Sequence, residues 1–304
     1  MKIATTTGDF SRFLPNDVEI VRALHRAGFR YIDLDMYFFT PSSPYMSDDW
    51  KSAVQLLKDE ADRLQIKFVQ AHSQGGNAFR DDADHVDFLI RSTQRSIEIC
   101  HELGIPNTVV HPGCADGVSK EEWFERNRAF YQKLFPYMEA YGVNVLIENA
   151  TDVNTKGKYW ASTGKEMVEF LRYVDHPLLH ACWDTGHGNC EGPQYNEILD
   201  LGKELYAIHY NDNRGKGDDH VIPYLGTLNN DEILNALIDV GYKGYFTLEA
   251  TSSTVPAKRR LKVNGSFDRD LRNVNPPLFM QERLVELMYD VSKHLLDSYG
   301  LFEE

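Results

Sequence analysis

Six side chains able to ligate a metal, His72, His111, Glu148, Asp184, His209 and Glu249, recur along the chain at intervals of 39, 37, 36, 25 and 40 residues. Each closes a short run rich in branched, aromatic or otherwise apolar residues, as in the stretches 143–148 and 179–184. Imidazole nitrogens and carboxylate oxygens are the donor types that bind divalent cations. Three carboxylates brought to one place repel one another strongly unless a cation is shared among them. Taken singly, each residue reads as a polar group at the end of a strand. Repetition at the spacing of one strand-helix unit is what points to a common site.

Two local motifs add donors. Trp183-Asp184-Thr185-Gly186-His187 places a histidine just beyond Asp184, and His209-Tyr210-Asn211-Asp212 is followed by the Asp218-Asp219-His220 pair in a glycine-bearing loop. Asp218 and His220 are candidates for an additional metal. Trp183 and the Tyr37-Phe38-Phe39 run are candidates for an apolar wall beside that site. His25, His85, His101, His176, His180 and His294 fall in helical segments or at strand starts and read as structural, and Cys114 remains an unassigned thiol.

Side chains this far apart meet only if the fold returns each of them to one rim. Eight β-like runs, 2–6, 31–36, 67–72, 108–111, 143–148, 179–184, 206–209 and 245–249, supply it. Several are nearly continuous in apolar residues, as parallel strands buried on both faces require. Helical spacing lies between them, with Ala53, Leu56, Leu57 and Ala61 on one face and Val86, Ile90, Ile97, Cys100 and Leu103 on another. Ser119 and Thr163 each stand three residues before a glutamate, predicting capping boxes at two helix starts. Gly28, Gly104, Gly142 and Gly241 sit where a helix ends in a left-handed residue shortly before a strand. No Gly-x-Gly-x-x-Gly follows the first strand, so a closed (β/α)8 TIM barrel is expected rather than a doubly wound sheet. In such a barrel the C-terminal strand ends converge.

On these residues the sequence resembles the xylose isomerase-like TIM-barrel superfamily, in its sugar phosphate isomerase/epimerase branch, over essentially the whole chain. The resemblance rests on Ala71-His72, His111-Pro112-Gly113, Ile147-Glu148-Asn149, Trp183-Asp184-Thr185-Gly186-His187, His209-Tyr210-Asn211-Asp212, Asp218-Asp219-His220 and Thr247-Leu248-Glu249. It implies an isomerase or epimerase of a small sugar or sugar phosphate. One divalent ion would be held by Glu148, Asp184, His209 and Glu249, with the two glutamates as the acid/base pair. It also implies proton abstraction beside a carbonyl through a metal-stabilised enediolate. His187 and Arg214 would bind substrate oxygens, with His72, His111 and Trp183 as further substrate contacts. The oxygen-rich set suits Mn²⁺ or Mg²⁺, and the extra histidines accommodate Zn²⁺ or Co²⁺.

The ketose 3-epimerases of this group carry an Asn-Arg-Phe-Glu stretch after the first catalytic glutamate, whereas Glu148 is followed here by Asn149-Ala150-Thr151-Asp152-Val153-Asn154. Isomerisation, or the water elimination of inosose dehydratases, therefore stays open beside epimerisation. A second resemblance is to endonuclease IV, a trinuclear zinc enzyme acting on abasic DNA. Its nine ligand positions are matched by His72, His111, Glu148, Asp184, His187, His209, Asp218, His220 and Glu249. A barrel that binds carbohydrate without turning it over ranks last, because both glutamates are present.

The chain has 304 residues and a formal net charge of −14, with 42% hydrophobic, 12% aromatic and 26% charged residues. That composition excludes collagen-like, disulfide-scaffold and wholly disordered chains, and its acidity argues against a nucleic-acid partner. No signal-like or membrane-spanning run is present, and Cys100, Cys114, Cys182 and Cys190 form no Cys-x-x-Cys pair, so reduced thiols in a cytoplasmic protein are expected. The oligomeric state is open, a homo-oligomer included. One domain is read across 1–304. It includes an irregular segment at 251–277 carrying six basic and two acidic residues, then a final helix at about 278–298. The segment reads as a surface flap or subunit contact, or as a lid over an anionic substrate.

Overall fold

The computed structural model describes residues 1–254, 273 and 275–304. Eight parallel strands, β1 (Ile3–Thr6), β2 (Tyr31–Asp35), β3 (Lys67–His72), β4 (Asn107–Val109), β5 (Asn144–Glu148), β6 (Leu179–Asp184), β7 (Leu205–His209) and β8 (Phe246–Leu248), form one sheet. They are hydrogen-bonded in the order β7-β6-β5-β4-β3-β2-β1-β8. The ends of that row meet through a parallel bridge between Tyr210 and Leu248. There the Tyr210 N–H donates to the Thr247 carbonyl at 2.7 Å and the Glu249 N–H donates to the Tyr210 carbonyl at 3.1 Å. The architecture is the expected (β/α)8 barrel, with strand limits within two residues of the sequence reading. His111 stands two residues beyond β4 and Glu249 one beyond β8.

Helices cover the barrel: α1 (Asp17–Arg26), α2 (Trp50–Arg63), α3 (Ala83–Leu103), α4 (Lys120–Tyr131), α5 (Phe135–Tyr141), α6 (Asp152–Thr155), α7 (Gly164–Val174), α8 (Thr185–Glu191), α9 (Tyr195–Leu201), α10 (Asn230–Asp239) and α11 (Leu278–Ser298). Most of the expected 251–277 segment lies outside the described residues. No described helix is long and apolar enough to cross a membrane.

Two layers of apolar packing follow from the period of two along each strand. Outward residues such as Ile32, Leu34, Trp183, Ile208, Phe246 and Leu248 join the helices in one large core. Val109, Leu146, Cys182 and Ala207 form a separate small cluster inside the barrel. Fully burying each large apolar side chain is worth about 1.5–3 kcal/mol, so the outer layer carries most of the burial free energy. The lumen above the small cluster is thereby left to polar residues.

The Thr163 capping box is complete, its Glu166 carboxylate accepting from the Thr163 backbone. At Ser119 half of the box is formed. The Ser119 hydroxyl accepts from the Glu122 N–H, while the Glu122 carboxylate pairs with Arg126 one turn on. Gly28, Gly104, Gly142 and Gly241 all have positive φ, between 65° and 105°, as the helix ends require.

Candidate active site

Alternation along the strands decides which polar groups enter the barrel mouth. In β6, Cys182 faces the lumen, so Asp184, two residues on, does too, and Trp183 faces the helices. The same parity brings in Glu148 after Leu146, His209 after Ala207 and Glu249 after Thr247. One ligating atom from each of Glu148, Asp184, His209 and Glu249 lies within 4.8 Å of those of the other three. The first three side chains are buried and Glu249 is about one-fifth exposed, with 21% relative side-chain area.

Each of the four is held in place. Asp184 is the N-cap of α8, its Oδ1 accepting from the His187 N–H at 2.6 Å, while its Oδ2 accepts from the Asn211 amide at 2.7 Å. Its own N–H donates to Asn149 Oδ1 at 2.7 Å. A Cβ on Gly186 would come within 1.9 Å of Asn211 Oδ1, so only glycine lets Asn211 reach Asp184. His209 Nδ1 contacts Glu148 Oε1 and lies 3.4 Å from Glu249 Oε2. On the far side of the ring, Nε2 lies 3.3 Å from Asp33 Oδ2 and 2.8 Å from the Gln70 amide nitrogen.

Two further groups flank this set. His111 Nε2 is 2.6 Å from Glu148 Oε2 and 3.2 Å from His72 Nε2. His72 Nδ1 is 2.9 Å from the Ser73 carbonyl, so Nδ1 carries the proton and Nε2 is left as a lone pair. Burial, reinforced by neighbouring His111, pushes His72 down to about 3, so it is neutral. On the opposite flank Asp218 bridges two imidazoles, lying 3.3 Å from His187 Nε2 and 2.9 Å from His220 Nε2. Burial alone would lower His187, but Asp184 and Asp218 outweigh it and lift the imidazole to about 10.

The donor set suits a divalent cation, because protons sit where a cation would. Burial raises Glu249 to about 8, helped by the Glu148 and Asp184 charges and opposed by His209 and His220. Burial would also raise Glu148, but His209 and His111 prevail and hold it well below the usual range. Two carboxylates in one site are thus driven apart in proton affinity. A cation of charge +2 relieves the same repulsion.

A pH dependence of stability follows. Burial also raises Asp9 to about 7 and Asp35 to about 6, and Glu249, His187, His209 and His220 are raised as well. Each binds its proton more tightly folded than unfolded. The stability it contributes is present below its ordinary pKa and is lost as pH rises through the folded value. His72, depressed to about 3, acts in the opposite sense below about 6.5, so melting temperature in chelator is expected to fall as pH rises from about 6.5 to about 8. A flat or rising profile over that window contradicts these protonation states.

These groups open onto a cavity of about 490 Å³ whose wall includes His72, His111, Glu148, His187, Asp218, His220 and Glu249. Asp35, Tyr37, Phe38, Asn149 and Cys114 also line it. Phe39 turns away to stack on Tyr45. Two expected substrate contacts are not brought to the cavity. Trp183 is buried behind the strand, its Nε1–H donating to Gln194 Oε1 at 2.8 Å, because a residue adjacent to an inward Asp184 must point outward. Arg214 is exposed and takes no part in the cavity wall.

The sequence reading missed Asp33, Asp35 and Gln70. Their signal was the alternation Tyr31-Ile32-Asp33-Leu34-Asp35, which puts two acids on the lumen face of β2.

A family model described as xylose isomerase-like TIM barrel matches residues 21–268. The D-psicose 3-epimerase of Ruminiclostridium cellulolyticum is 30% identical over 131 residues, 43% of this chain and 42% of that protein. A probable endonuclease 4 of Citrifermentans bemidjiense is 23% identical over 188 residues, 55% of this chain and 65% of that protein. The chain spans about half the length of the curated relatives it matches. Among solved structures, a D-tagatose 3-epimerase-like protein superposes with a TM-score of 0.74 at 18% identity, covering 99% of this chain and 98% of that one. That likeness concerns the fold.

Proposed function

The chain belongs to the xylose isomerase-like TIM-barrel family, and on that premise we propose that it is a divalent-metal-dependent isomerase or epimerase of a small sugar or sugar derivative. The observation that carries this reading is the convergence of Glu148, Asp184, His209 and Glu249 at the barrel mouth. These four residues would hold the ion, Mn²⁺ or Mg²⁺ by their oxygen content, with Zn²⁺ or Co²⁺ accommodated by the histidines. Bound there, the ion supplies Lewis-acid stabilisation of charge developing on a carbonyl oxygen and its neighbouring hydroxyl.

Glu148 and Glu249 supply the proton chemistry. A hydrogen beside a carbonyl is too weakly acidic for a carboxylate unless the resulting negative charge is stabilised. The two glutamates come from different strands and reach the cavity from different sides of His209, as an acid/base pair requires. One removes a proton from carbon and the other returns one. His187, whose Nε2 lies in the cavity wall 3.3 Å from Asp218, would donate to the oxygen where charge accumulates. His72 and His111 contact hydroxyls farther along the substrate, and Tyr37 with Phe38 covers an apolar face. The four cysteines are unpaired, which suits a reducing, cytoplasmic setting.

The test is exchange. Metal-loaded protein incubated in D₂O with ketoses and sugar phosphates is expected to place deuterium on carbon in at least one of them. No carbon-bound deuterium anywhere on such a panel counts against proton abstraction.

A second reading, an endonuclease IV-like trinuclear zinc phosphodiesterase, is favoured by one observation. His72-His111-Glu148 and Asp184-His187-His220 each bring ligating atoms within 4.8 Å of one another. Against it, the described wall of the cavity contains no lysine or arginine to meet a phosphate backbone. Cleavage of an abasic-site duplex without carbon exchange would decide for it.

A further inference from the structure

His209 lies between the candidate cation site and a buried polar floor that the family resemblance does not address. Its Nδ1 faces Glu148 and Glu249. Its Nε2 faces Asp33 Oδ2 at 3.3 Å and the Gln70 amide nitrogen at 2.8 Å. Gln70 also donates to the same Asp33 oxygen at 2.8 Å. A neutral imidazole carries one proton, and the nitrogen that binds a cation must be the one without it. The two floor residues therefore favour opposite tautomers. An amide nitrogen can only donate, so Gln70 as placed stabilises a bare Nε2 and leaves the proton on Nδ1. A carboxylate can only accept, so Asp33 stabilises Nε2–H and frees Nδ1.

We propose that Asp33 is a positioning residue that sets His209 in its cation-binding form, by accepting Nε2–H so that the Nδ1 lone pair points at the space between Glu148 and Glu249. This rests on the cation centre proposed above. Among the described residues Asp33 is the one acceptor placed at Nε2. Gln70 donates to that same carboxylate oxygen and so competes with His209 for it. When His209 takes this form, the Gln70 amide gives up Nε2 and keeps Asp33.

A second observation separates this role from a structural one. Asp33 has 1% relative exposure, and its other oxygen, Oδ1, has no hydrogen-bond partner. Burying an unpaired carboxylate oxygen costs stability. Oδ2 is bonded to Gln70 and faces His209 while Oδ1 is left bare, so the cost of burying this carboxylate is best explained by what it does to His209.

Zn²⁺ binding, measured by competition with a chromogenic chelator, tests the proposal on the full-length chain. Asp33→Leu removes the acceptor and is expected to weaken Zn²⁺ affinity by about 10- to 100-fold. Asp33→Asn keeps an oxygen acceptor in nearly the same shape and is expected to recover part of that loss. Gln70→Leu removes the competing donor and is expected to bind Zn²⁺ at least as tightly as wild type. A residue that merely supports the floor would make Asp33→Leu and Gln70→Leu fail together. Histidine ¹⁵N spectra of the Zn²⁺-loaded wild type give an activity-independent readout, with the His209 proton expected on Nε2. Unaltered affinity in Asp33→Leu, or a loaded His209 carrying its proton on Nδ1, overturns the proposal. A wild-type chain that binds no Zn²⁺ overturns the cation centre itself, and this inference with it.

Discussion

Glu249→Gln is expected to abolish turnover while leaving most of the bound metal in place. Proton transfer by a positioned side chain contributes about 100- to 10,000-fold, and a carboxamide can neither take nor give the proton. The carboxamide keeps an oxygen that can still face a cation, and Glu148, Asp184 and His209 are untouched. His209→Ala removes a nitrogen donor outright from the middle of the set, where Nδ1 lies between Glu148 and Glu249, so metal content is expected to fall further there than in Glu249→Gln. The informative comparison is metal stoichiometry by elemental analysis alongside carbon-bound deuterium uptake. Substantial exchange by the Glu249→Gln protein would remove Glu249 from the acid/base pair, leaving its part as a ligand.

Removing the metal is expected to have the second large effect, on both activity and stability. Exhaustive chelation should stop exchange completely, and adding back Mn²⁺ or Zn²⁺ should restore it. A ligand present at about 1,000 times its dissociation constant stabilises the native state by about 4 kcal/mol. At 2–4 °C per kcal/mol for chains of moderate length, that is a rise in melting temperature of about 10 °C. The structural reason is local. Without a cation, the repulsion among Glu148, Asp184 and Glu249 is offset by protons, by His209 and by neighbouring donors such as Asn211 and His111, and burial makes that arrangement costly. Identical melting curves with and without chelator, at several metal concentrations, would argue that the four side chains hold no ion.

Much of this site was legible in the sequence because the barrel imposes a simple rule. A residue that ends a strand reaches the rim, and one that precedes it by two lies a layer deeper on the same face. His72, Glu148, Asp184 and His209 end strands, and His111 and Glu249 lie just past strand ends, so their types and spacing pointed to the rim. Trp183 was misplaced for want of the same rule, since no neighbour of an inward residue can also face inward. Arg214 could not be placed from the sequence, because its position depends on a loop rather than on strand parity. Asp33 and Gln70 escaped notice because they sit one layer below the rim, where a polar residue is indistinguishable by type from ordinary core satisfaction. Only the contact with His209 Nε2 shows what they face.

The barrel's closure also bears on the chemistry. β7 and β8 are joined through Tyr210 by two backbone hydrogen bonds, whereas β6 and β7 pair across four register positions. His209 comes from one side of that narrow seam and Glu249 from the other. Local opening draws first on boundaries with few backbone bonds, and here any such excursion pulls the imidazole away from the carboxylate. The bonds that shut the cylinder thus also set the distance between these two side chains.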